Sequence, residues 1–124
     1  MAAAKLDLSM EQGATFSRVL TFKDDADVTI DLTGRTFAGK IRKTIGGQVV
    51  GTFTFTLANQ ITNEGQVTML MTAANTDLLP APKQSTTTRE LLEFVYDVEM
   101  THVDTVTVDR VLEGKLTLSP SVTK

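Results

Sequence analysis

Hydrophobic and polar residues along this chain alternate at the two-residue period of a strand, and seldom at the period of a helix. The clearest run lies near the end. Between residues 106 and 118 the even positions read Val106, Val108, Arg110, Leu112, Gly114, Leu116 and Leu118, against Thr107, Asp109, Val111, Glu113, Lys115 and Thr117. Just before it, Phe94, Tyr96, Val98 and Met100 share one face, opposite Glu93, Asp97, Glu99 and Thr101. The pattern predicts two long strands, each with one face in a core, joined by a short loop at His102-Val103-Asp104. It places Arg110 in the apolar phase of the last strand, and Glu113-Gly114 reads as a bulge that bends it.

The same alternation recurs upstream. Phe16, Leu20 and Phe22 share a face that Arg18 interrupts. Residues 28–32 read as a short extended piece after the charged turn Lys23-Asp24-Asp25-Ala26-Asp27. Thr33-Gly34 bends the chain into a strand with Phe37, Gly39 and Ile41 inward, and Gly46-Gly47 supplies the next turn. Phe53, Phe55 and Leu57 then oppose Thr52, Thr54 and Thr56, and Val67, Met69 and Met71 mark another strand. The alternation lapses over residues 73–79, which read as one helical turn capped by Thr72 and ended by Pro80 and Pro82. Residues 83–89 are a Ser/Thr-rich loop, in which Lys83, Gln84 and Arg89 are candidate protein contacts.

Residues 1–14 read as an N-terminal extended arm, with Leu6 and Leu8 placed to add a strand to a neighbour, and residues 15–124 as a single domain. The expected class is all-β: an antiparallel β-sandwich, Ig-like or jelly-roll-like, of seven to eight strands, with one short helical turn near 73–79.

Composition narrows the chemistry. The 124 residues carry a net charge of −3, which argues against a nucleic-acid partner, and no cysteine, which excludes disulfides and thiolate metal sites. No apolar run approaches the ~18 residues of a membrane helix, so no membrane partner is expected. No signal-peptide pattern is present, so use without Sec export is expected. The single histidine, His102, falls in a hairpin loop and reads as a solvated side chain. Asp24, Asp25 and Asp27 lack the spacing of a calcium loop and read as an acidic turn. Carboxylates that share a strand face, such as Asp97 with Glu99, can run glycoside hydrolysis, but on exposed strands they serve solubility and cross-strand pairing. No catalytic, cofactor-binding or metal site is expected, and no small-molecule substrate. Arg18 and Arg110 remain as polar residues in apolar phase: strand-end or snorkelling side chains, or charges at a subunit interface.

Five segments, in order, carry a family resemblance: Gln12-Gly13-Ala14-Thr15-Phe16; Asp31-Leu32-Thr33-Gly34-Arg35-Thr36-Phe37 leading to Lys40-Ile41-Arg42; Val67-Thr68-Met69-Leu70-Met71-Thr72-Ala73-Ala74-Asn75-Thr76; Tyr96-Asp97-Val98-Glu99; and Leu112-Glu113-Gly114-Lys115-Leu116-Thr117-Leu118-Ser119-Pro120-Ser121-Val122-Thr123. With these the chain resembles small β-sandwich structural proteins of tailed bacteriophages, and is similar to the N-terminal domain of phage baseplate upper proteins. The resemblance implies a non-enzymatic virion component, assembled in the cytoplasm of a bacterial host. Its role would be an adaptor in the tail, baseplate or collar–neck that docks fibres or neighbouring subunits. Its partners would be other virion proteins, in a symmetric homo-oligomer of three or six copies or their multiples. A capsid decoration protein and a carbohydrate-binding module are the alternatives, the second weakened by the absence of tryptophan.

Overall fold

The computed structural model describes residues 4–79 and 92–119. They form eight strands and one helix: β1 (Ala4–Lys5), β2 (Leu8–Glu11), β3 (Phe16–Thr21), β4 (Thr36–Arg42), β5 (Val49–Leu57), β6 (Gln66–Met71), α1 (Ala73–Asp77), β7 (Leu92–Thr101) and β8 (Val108–Ser119). The protein is all-β, as the alternation predicts. Its strands make one curled sheet in the order β1-β8-β7-β4-β5-β6-β3, with β2 also on β8. The curl comes through β5, which pairs with β4 up to Phe53 and with β6 from Thr54 onward. All described strand pairs are antiparallel except those of the arm, which runs parallel to β8 and makes the sheet mixed.

The concave face holds the core. Phe94, Tyr96, Val98 and Met100 from β7 meet Ile41 from β4, Phe53 from β5, and Val67, Met69 and Met71 from β6, all buried. Leu32 is fully buried from the loop before β4, where Gly34 turns the chain at a φ of +79°. Gln60 ties that loop down: its amide oxygen accepts from Leu32 N (3.0 Å) and Gly65 N (2.9 Å), and its amide nitrogen donates to Ala58 O and Gln66 O. The expected extended piece at 28–32 contributes only an isolated bridge, Lys23 to Thr29. The helical turn is present, and the Thr72 hydroxyl caps it by accepting from Asn75 N.

The last strand departs from strict alternation. Val98 faces Leu112, but Glu99 faces Arg110, so Val111 is an extra residue in β8. Both Val111 (3% exposed) and Leu112 (6%) point into the core. A bulge of one residue reverses the facing of everything before it. Val108 is therefore about half exposed, and Val106, expected inside the strand, is 80% exposed in the preceding loop. The bulge thus lies at Val111 and not at Glu113-Gly114.

Candidate interaction site at the open seam

Among the described residues the curled sheet does not close: β3 pairs with β6 and the arm with β8, which leaves a seam between the two edges of the sheet. Phe22 N donates to Gly65 O (2.8 Å), which sets the phase of the β3–β6 ladder: residues 16, 18 and 20 exchange hydrogen bonds with Met71, Met69 and Val67. The N–H and C=O groups of Ser17, Val19 and Thr21 consequently point away from β6, toward the open edge. At the turn end, the seam is a cleft of about 400 Å³ between Ser9, Met10 and Glu11 of β2, Phe16 of β3, and Thr117 and Ser119 of β8.

Arg18 lies in the inward phase of β3, opposite Met69 and between Phe16 and Leu20, with its side chain exposed at the edge. The sequence phase is therefore observed, and the cause is the edge position. Among the described residues Arg18 makes no ion pair, unlike Lys23 with Asp27. Its charge reaches the Tyr96 phenol, where it opposes the influence of Asp7.

The arm forms the other wall, and it is fastened to its own sheet. Leu6 N donates to Glu113 O (2.9 Å), and the Tyr96 hydroxyl donates to Leu6 O. The Asp7 carboxylate accepts from Lys115 N (3.1 Å), bridging the gap between β1 and β2. Gly114 permits the crossing, because a Cβ there would lie 2.1 Å from the Leu6 carbonyl oxygen. Burial pushes the Tyr96 phenol up to about 12, so it stays a protonated donor. At the turn, Thr76 of α1 is fully buried; its hydroxyl accepts from Gly13 N (3.1 Å) and donates to Ala14 O (2.8 Å). α1 thereby fixes the closed end of the seam.

The other sequence candidates fall in different places. Leu8 is 2% exposed and Leu6 half-buried, so Leu8 is a core residue of its own chain and not a contact surface. The alternating arm finds a free edge in β8 and lays its apolar face into its own sheet, as the eight-strand reading expects. For Arg110 the expected apolar phase is corrected: the Val111 bulge turns it outward, where it approaches Asp97 (3.5 Å) and Glu113 (3.8 Å) at the surface. Lys83, Gln84 and Arg89 lie outside the described residues.

His102 is not simply solvated. It is half-buried, with Nε2 at 2.6 Å from Asp109 Oδ2 and Nδ1 at 3.4 Å from Arg35 Nη1. Arg35 can only donate, so Nδ1 accepts and Nε2 carries the proton toward Asp109. That hydrogen bond holds the Asp109 carboxyl below the usual carboxylate range. With both ring nitrogens engaged, the trio braces the β7–β8 hairpin against the start of β4. Among the described residues no cluster of three His, Asp or Glu side chains is placed to hold a metal ion.

Sequence reasoning missed how the convex face is divided. β7 and β8 carry Glu93, Asp97, Glu99, Arg110, Glu113 and Lys115 outward. β3, β6 and β5 instead present the uncharged rows Ser17, Leu70, Thr54 and Val19, Thr68, Thr56. The Thr-rich composition of β5 was visible, but its continuation across β6 and β3 needed the register. No family model matches this chain, and no curated protein matches it.

Proposed function

We propose that this protein is a non-enzymatic structural component of a tailed-bacteriophage virion. In this reading it is an adaptor in the tail, baseplate or collar–neck that anchors fibres or neighbouring subunits. The observation that carries the reading is the six-residue β3 edge: it is unpaired among the described residues, and it continues into the uncharged convex face of β3, β6 and β5. An edge of this kind is a template for another chain, and an uncharged sheet face costs less to desolvate on contact than a charged one. The ordered motif set by which the chain resembles small phage structural proteins supports the same reading. Deleting the coding sequence and complementing it in trans tests the role. An adaptor predicts particles that stall before tail or fibre attachment and are rescued by the wild-type chain. Complete, infectious particles with weakened heads would instead indicate capsid decoration. A strong, selective signal on a glycan array, with particle assembly unaffected, would indicate carbohydrate binding.

A further inference from the structure

We propose that the open edge of β3 is a strand-addition site whose partner is an extended segment of another protein carrying a carboxylate flanked, two residues away on each side, by apolar side chains. The backbone defines the mode. Ser17, Val19 and Thr21 offer three N–H and three C=O groups along one uninterrupted strand without proline or bulge. The opposite edge is a poorer template, because β1 has two residues and β2 four, with Asp7 interrupting the ladder between them.

The side chains define the partner. A strand lying antiparallel to β3 places its inward residues opposite Phe16, Arg18 and Leu20. Arg18 there is a cation on the inner face with no ion pair among the described residues. A charge pointing inward on an edge strand discourages indiscriminate pairing. It also selects a partner that brings a carboxylate to it while apolar residues cover Phe16 and Leu20. The outward residues of the partner meet Ser17, Val19 and Thr21, which are uncharged.

The same pattern disfavours pairing with a second copy through its sheet edges. β3 contains no carboxylate, so two β3 edges would set Arg18 against Phe16, Leu20 or another Arg18. In the arm the carboxylates Asp7 and Glu11 lie in the opposite phase from Leu6, Leu8 and Met10, so the arm cannot present an acid between two apolar residues on one face. The assignment deepens the adaptor reading by naming the partner's chemistry, and it rests on that reading only for where the partner is found.

The test uses the full isotope-labelled chain and a blocked heptapeptide, Thr-Val-Thr-Glu-Thr-Val-Thr, with a Lys-centred version as control. With the Glu peptide at about ten times its Kd, amide exchange at Ser17, Val19 and Thr21 should slow roughly tenfold. The Lys peptide should leave these amides unchanged, and Arg18→Glu should invert the preference. Val19→Pro removes an outward N–H without breaking the β6 ladder, and should bind neither peptide while keeping the wild-type circular dichroism. No protection with the Glu peptide, equal binding of both peptides, or full binding by Val19→Pro would overturn the proposal. No virion is needed, so a negative result removes this docking mode and leaves the adaptor role to be judged from the particles.

Discussion

Replacing Gly114 with alanine tests whether the arm belongs to the fold. In a regular strand the change should help slightly, because glycine loses more freedom on folding by roughly 0.5–1 kcal/mol. Here the new Cβ would lie 2.1 Å from the Leu6 carbonyl oxygen and 2.8 Å from its carbon, both backbone atoms. The arm must therefore move. Its movement breaks Leu6 N to Glu113 O, Tyr96 hydroxyl to Leu6 O, and Lys115 N to Asp7. At about 1 kcal/mol net for each hydrogen bond, the expected loss is ~3 kcal/mol with β2 still docked. Complete release would also expose Leu8 and Met10, at about 1.5–3 kcal/mol each, which brings the total to roughly 6–9 kcal/mol. That approaches the whole stability of an ordinary domain, ~5–15 kcal/mol. Urea unfolding followed by circular dichroism gives the sign and the size. Tyr96 is the only tyrosine, and the chain has no tryptophan, so tyrosinate absorbance reports the staple directly. The variant should titrate below the value of about 12 that burial imposes. A Gly114→Ala protein as stable as the parent, with its phenol titration unchanged, would refute this placement of the arm.

Three further outcomes follow from the same geometry. The Tyr96 phenol is raised from 10.0 to about 12, so the unfolded chain ionises first; stability should be level below pH 10 and fall between pH 10 and 12. Tyr96→Phe should lack that fall, as alkaline denaturation series would record. Asp104 accepts from Val106 N, Thr107 N and the Thr107 hydroxyl, which lower its carboxyl from 3.8 to about 2. Its contribution should be complete above pH 3.8 and lost as the pH falls toward 2; a carboxyl resonance of Asp104 titrating near 4 by NMR would contradict this. Gln60→Ala leaves the N–H groups of the buried Leu32 and Gly65 without this acceptor, and should cost about 2–4 kcal/mol. A loss under about 0.5 kcal/mol in chemical denaturation would mean that the loop has other support.

Most of the fold was legible because a half-buried strand writes its facing into the sequence. Phe94, Tyr96, Val98 and Met100 are all buried, and the Thr72 cap and the turn at Gly34 appear where local chemistry puts them. The failures cluster where one residue changes the register or where distant segments meet. Val111 looks like an outward residue, yet as the bulge it reverses Val108 and Arg110. Gly114 reads as a local kink, whereas the reason for it is Leu6, a hundred residues away in sequence. His102 lacks a visible partner because Arg35 and Asp109 come to it through β4 and β8. Arg18 was conspicuous as a charge in apolar phase. What the pattern could not supply is that β3 lies at an edge, since pairing order is a property of the whole sheet.

Quantitative mass spectrometry of gradient-purified virions from the source tests the structural role most directly, with copies counted against a known major protein. The adaptor reading predicts a fixed stoichiometry of three or six copies, or a small multiple of them, in every particle. Absence from the purified particle would contradict it.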